Sequence, residues 1–168
     1  NTAVGTNALF NNTANNNSAF GYTSLYANTT GGSNSAFGYK ALRYNTTGPN
    51  NTAIGGNALQ SNTFGGYNTA LGRATLFSNT TGIQNVAIGA LALYYNTIGQ
   101  YNVAVGAYSL YSNSTGSRNT AVGLAALGNN TSGVQNSAFG FYALKSNTIG
   151  QANSAFGFYA LYTNTIGS

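Results

Sequence analysis

The sequence predicts an all-β fold, a parallel β-solenoid (β-roll) of about ten coils of 17 residues each. Three observations carry this expectation. One pattern recurs ten times across the 168 residues; its step is 17 residues; and each copy holds Ala, Gly, Leu and Asn at fixed offsets. A step of 17 is too short for a pair of packed helices and suits one turn of chain stacked on the last.

Counted from the Asn that precedes each Ala, the coils begin at Asn1, Asn17, Asn34, Asn51, Asn68, Asn85, Asn102, Asn119, Asn136 and Asn153, the first being one residue short. The opening residues of each coil read as a short strand. The third place is Ala in every coil, from Ala3 to Ala155, and the fourth is large and apolar: Val4, Phe20, Phe37, Ile54, Leu71, Ile88, Val105, Val122, Phe139 and Phe156. The second place, which shares a strand face with the fourth, holds Thr, Ser or Val. The expectation is that the fourth place points inward, with the second place inward at a shallower site.

A Gly at the fifth place, from Gly5 to Gly157, follows as a turn residue with freedom for positive φ or a close approach between coils. A second short strand is expected through the Ala-Leu that leads to Leu at the ninth place, from Leu9 to Leu161, which supplies the other inward residue. Each coil then closes in a corner of Asn at the twelfth place, Thr at the thirteenth (Ser114 once) and, after the first coil, Gly at the fifteenth. One coil buries too little to offset the entropy of ordering its backbone, so coils must stack. Residues 1–168 form one repeat domain, and its in-phase ends suggest an excerpt of a longer array.

Composition agrees with stacking. Charged residues make up 3% of the chain, with five Lys or Arg and no Asp or Glu. A repeated acidic residue would lie beside its own copy and repel it, whereas Asn and Thr copies can hydrogen-bond along a ladder. The same richness in polar residues could suggest a disordered tract, but such tracts lack a strictly placed Leu with an apolar partner.

Chemistry is scarce. Without His, Cys, Asp or Glu the chain has none of the usual general bases, no strong metal ligands and no way to activate its Ser and Thr residues, so no enzyme, cofactor or metal site is expected. The net charge of +5 is spread over Lys40, Arg43, Arg73, Arg118 and Lys145 without a dense stripe, which argues against nucleic acid. The most apolar run, Val86 to Tyr95, is too short to span a bilayer, so no membrane insertion is expected in this segment. Asn-x-Ser/Thr sequons such as Asn28-Thr29-Thr30 arise from the corners themselves.

Function is therefore sought on surfaces. The sixth, seventh and tenth places vary and are rich in aromatics. They include Tyr22 and Tyr39 at the sixth, Tyr108, Tyr142 and Tyr159 at the seventh, and Tyr26, Tyr94, Tyr111 and Tyr162 at the tenth. These nine tyrosines either pack within the coil or form an exposed stripe for association with other copies or with a protein or glycan surface. The corner is the second candidate: its Asn and Thr ladders read as side-chain-bonded turns, or as a regular Thr array that orders water as ice-binding proteins do.

The units Asn34-Ser35-Ala36-Phe37-Gly38, Asn85-Val86-Ala87-Ile88-Gly89 and Asn119-Thr120-Ala121-Val122-Gly123 resemble the head repeats of trimeric autotransporter adhesins. The whole chain also resembles the Asn-Thr-Ala-Val-Gly-x-x-Ala-Leu arrays of bacterial surface proteins and phage tail fibres. That resemblance implies a left-handed parallel roll, assembled as a trimer, displayed outside the cell and used for attachment. The repeat here is longer than the usual head repeat. The expected function is a non-enzymatic structural or adhesive rod of an extracellular or cell-surface fibre. It would associate with itself laterally or end to end, and with a host-cell or matrix surface; the alternative is an ice-binding solenoid.

Overall fold

A computed structural model describes residues 1–167 and contains ten three-residue strands, one per coil. They are β1 (Thr2–Val4), β2 (Ser18–Phe20), β3 (Ser35–Phe37), β4 (Thr52–Ile54), β5 (Thr69–Leu71), β6 (Val86–Ile88), β7 (Val103–Val105), β8 (Thr120–Val122), β9 (Ser137–Phe139) and β10 (Ser154–Phe156). They form a single parallel sheet in sequence order, in which every residue pairs with its own copy one coil on, as Ala36 does with Ala53 and Ala53 with Ala70. The chain is a β-solenoid, and no helix occurs among the described residues.

The strand's alternation is as expected, but its direction is reversed. Ala at the third place faces the interior, wholly buried from Ala19 to Ala138, while the fourth place faces outward: Ile54 is 41% exposed and Leu71 43%. The second and fourth places do share a face, and it is the outer one. Width explains the inversion. The interior is filled by Ala at the third and eighth places, Leu at the ninth, and Asn at the first and twelfth, which leaves no room for a side chain that ranges from Val to Phe. Where the eighth place is polar, the side chain is satisfied locally: the Ser109 hydroxyl donates to the Gly106 carbonyl at 2.7 Å and that of Thr75 to the Gly89 carbonyl at 2.9 Å.

The expected second strand is absent. From the sixth place to the eleventh the chain turns, and the seventh and ninth places are left-handed in every coil, as at Lys40 (φ 58°), Leu42 (φ 50°), Leu91 (φ 62°) and Leu93 (φ 51°). An L-residue pays about 1–2 kcal/mol for that conformation, so neighbouring coils must hold it. They do so with alternating bonds. The seventh-place N–H donates back to the preceding coil, Lys40 to the Tyr22 carbonyl at 2.9 Å; the ninth-place N–H donates forward, Leu42 to the Ala58 carbonyl at 3.0 Å. Within the coil, Ala41 N–H donates to Gly38 and Asn45 N–H to Leu42, closing two tight turns around the buried Leu.

Two buried asparagine columns complete the interior. At the twelfth place, from Asn28 to Asn147, each Nδ2 donates to the Oδ1 of the preceding coil, as Asn45 does to Asn28, Asn62 to Asn45 and Asn79 to Asn62, all at 2.7 Å. At the first place each Oδ1 accepts the backbone N–H of the following Asn, as Asn34 Oδ1 does from Asn51 at 2.9 Å. Both columns meet on one atom. The fifteenth-place carbonyl of Gly82 accepts from Asn68 Nδ2 at 2.9 Å and from Asn79 Nδ2 at 3.0 Å. In the short first coil Ala14 takes this role, accepting from Asn1 and Asn12.

The closing Gly is required by this crossing, because a Cβ on Gly31 would lie 2.6 Å from the Gly48 carbonyl oxygen and 2.7 Å from Asn28 Oδ1. The fifth-place Gly is required twice over. Gly38 has φ +139°, and a Cβ there would stand 2.7 Å from the Gly55 carbonyl oxygen.

Two outcomes follow. Leu76→Ala should lose about 2–5 kcal/mol of stability, whereas Leu71→Ser in the same coil should lose no more than about 1 kcal/mol; denaturant melts of the two variants compare the inner and outer registers directly. Asn79→Asp removes both donations to Asn62 Oδ1 and Gly82 O and places a carboxylate against those oxygens. Its folded pKa is thus raised above the unfolded value of about 3.9. The native state then binds the proton more tightly, so the variant's stability falls as pH rises from the unfolded pKa through the folded one. Melts at pH 3 and pH 7 should show the larger loss at pH 7, about 3–5 kcal/mol.

Candidate association faces

Two outward faces run along the rod. The first is the fourth-place row itself, which the sequence reading turned inward. It is a ribbon of ten apolar side chains, one per coil, roughly 45 Å long at about 4.8 Å per coil. Its rings lie in parallel steps: Phe20 on Phe37 at 4.8 Å and 7°, Phe139 on Phe156 at 5.0 Å and 2°. Beside it, on the same sheet face, runs the half-buried Thr, Ser or Val of the second place.

The second is the aromatic face formed by the sixth, seventh, tenth and eleventh places. Tyr22, Tyr39, Tyr108 and Tyr159 are exposed, while Tyr26, Tyr94, Tyr111, Tyr142 and Tyr162 are half-buried. The nine tyrosines do not form one unbroken stripe. Tyr26 stacks on Phe10 at 5.4 Å and Tyr22 on Tyr39 at 5.6 Å in the first coils. A second cluster joins Phe77, Tyr94, Tyr111 and Tyr108 through steps of 5.0 to 5.6 Å, with Tyr95 of the eleventh place set edge-on against Tyr94 and Tyr111. A third gathers Tyr142, Tyr159 and Tyr162 with Phe141 and Phe158.

Between the second and third clusters the face is interrupted. In the eighth coil the seventh place is Ala125 and the tenth is Gly128, and the missing rings leave a notch of roughly 440 Å³. Tyr108 and Tyr111 line it from the seventh coil, and Tyr142 and Lys145 from the ninth.

Four of the five Lys and Arg side chains rest on rings. With no carboxylate side chain in the sequence, Lys40 lies 4.7 Å from the Tyr39 centroid, Arg43 5.0 Å from Tyr44, Arg118 6.0 Å from Tyr101 and Lys145 4.4 Å from Tyr142. Tyr44, Tyr67, Tyr95 and Tyr101 are exposed members of the surface that lay outside the sequence reading, since their eleventh and seventeenth places carry aromatics in only some coils.

Corner hydroxyls are engaged. Each thirteenth-place Oγ donates to the carbonyl of its counterpart one coil on, as Thr46 does to Thr63 and Thr63 to Thr80, both at 3.0 Å. The twelfth-place Asn is wholly buried from Asn28 to Asn147, so the polar ladder of the corner lies mainly inside the molecule.

Compared with protein-family models, curated proteins and solved structures, the chain matches none of them. Its fold and faces define the class: a tandem-repeat β-solenoid.

The hydrogen bond to Tyr95, followed by partial burial and the neighbouring Tyr95, Tyr94 and Tyr108, pushes the Tyr111 phenol above its usual range. Tyr95→Phe should bring its titration back toward about 10, as read from the Tyr111 ring resonances in an NMR pH series.

Proposed function

We propose that the chain is a non-enzymatic structural and adhesive rod of an extracellular surface fibre, in which copies lie side by side through the fourth-place ribbon. The single observation that carries this reading is the ribbon's continuity. Soluble monomers scatter exposed apolar side chains, whereas this rod aligns one per coil on its ten-stranded sheet. A straight, uncharged, apolar row meets a copy of itself without burying charge, and the flat parallel rings at both ends of the row suit lateral contact.

The aromatic face stands on other places of the coil and is open to a second partner such as a host-cell or matrix surface. Attachment needs no catalytic machinery, in keeping with a sequence that has no His, Cys, Asp or Glu. For the ice-binding alternative, an ordered Thr array would have to offer its hydroxyls to water. Here those hydroxyl hydrogens are donated to carbonyls of the next coil, which favours the rod.

Sedimentation velocity tests the reading. The chain should sediment as an oligomer at micromolar concentration. The double variant Leu71→Lys and Ile88→Lys, which places two cations in the middle of the ribbon, should sediment as a folded monomer. A wild-type chain that stays monomeric, or a double variant that associates as before, overturns lateral association; thermal hysteresis from a monomer would install the ice-binding reading in its place.

A further inference from the structure

We infer that the notch in the eighth coil is a binding site for an acidic sugar, a six-membered ring that carries a carboxylate. The inference is independent of lateral association, because no fourth-place residue lines the notch.

Size comes first. The notch exists because one coil lacks the two side chains that other coils place on this face: Ala125 stands between Tyr108 and Tyr142 in the seventh-place row, and Gly128 between Tyr111 and Lys145 in the tenth-place row. Its walls are two coils apart, about 9.5 Å from backbone to backbone. Neighbouring rings elsewhere on the rod stand 4.8 to 5.6 Å apart, so this interval holds one ring-sized layer. A flat ring fits this interval as the rod's own rings do. A puckered sugar ring, with hydrogens projecting from both faces, is thick enough to touch both walls. The volume of roughly 440 Å³ lies in the range of small-molecule sites.

Chemistry narrows the choice. Tyr108 and Tyr142 line the notch with aromatic carbon that the C–H bonds of a sugar can contact, and Leu124 and Ala125 add apolar surface. Asn129 brings an amide that can both donate to and accept from sugar hydroxyls, and Tyr111 brings a phenol. Lys145 decides the charge. Its ammonium group is held against the Tyr142 ring, 4.4 Å from the centroid, and the chain contains no Asp or Glu to neutralise it. A carboxylate on the bound ring supplies the charge-assisted partner that the protein lacks.

The test uses the full chain and glucuronic acid, with glucose and benzoate as comparison ligands, followed by amide chemical shifts and ring saturation transfer. Glucuronic acid should bind saturably with shifts confined to residues of the seventh to ninth coils, and more tightly than either comparison ligand. Ala125→Tyr restores the seventh-place row in a backbone conformation that Tyr108 and Tyr142 already adopt (φ 57° and 56°, against 51° at Ala125). It should keep the wild-type melting profile and weaken binding at least about tenfold. Lys145→Gln should weaken glucuronic acid several-fold, leave glucose unchanged and remove the salt dependence of binding. The inference is overturned by an absence of saturable binding, by equal affinity for glucose, by tighter binding of benzoate, or by undiminished binding to folded Ala125→Tyr.

Discussion

One carbonyl per coil holds this fold in register. The oxygen of the fifteenth-place Gly accepts from two asparagines at once, one that opens the coil and one that turns its corner, and each belongs to a column that bonds onward to its counterparts. Slipping one coil past its neighbour by a single residue would break both columns and strand several buried amide groups, each costing about 1–3 kcal/mol. A parallel sheet of three-residue strands is weak at specifying register by itself. The columns do so for it, and the strands then stack Ala on Ala and the turns Leu on Leu.

That constraint accounts for features that otherwise look unrelated. It requires an amide: Oδ1 must accept while Nδ2 donates, and a carboxylate can do only the first. It requires Gly at the crossing, where a Cβ would collide with the next coil's carbonyl. It also supports the left-handed residues at the seventh and ninth places. Their backbone is unfavourable in isolation, but once the coils are locked in register each of their N–H groups finds a carbonyl in a neighbouring coil, one backward and one forward. Strain that would unfold a single turn is thereby distributed along the stack, and the coil is stable only as a member of it.

The period, the parallel stacking and the inward Leu could be read from the sequence because they depend on spacing and on one large apolar residue that never changes. The strand's orientation follows constancy and not apolar size. In a stacked core each copy packs against its own copy, so an inward place that varied from Val122 to Phe139 in adjacent coils would leave a void or a clash. The small, constant Ala of the third place carried the correct signal. The left-handed turn left little trace: Gly and Asn are its usual markers, and only Asn7 and Asn57 supply one, while Leu, Tyr, Ala, Lys and Thr fill the other places because long-range bonds override local preference. The aromatic places were found from composition alone, but their division into clusters depended on which coils lack a ring. Ala125 and Gly128 say that only when rows are followed along the rod.

Invariance and variation thus separate largely by depth. Interior places must match their copies above and below, so they stay constant or, at the eighth place, change only among Ala, Ser and Thr; outer places touch their copies only at side-chain tips and are free to differ. A departure from the pattern on the outside costs the fold little, and it alters the surface at one known height along the rod. The eighth coil shows the consequence. Its Leu127, Asn119, Asn130 and Gly133 keep the interior intact, while Ala125 and Gly128 open a hollow on the aromatic face, between Tyr walls and beside a cation with no Asp or Glu in the chain to pair with. In a periodic molecule, a local feature can arise only where the repeat is broken, and in the eighth coil it is broken on the outside alone.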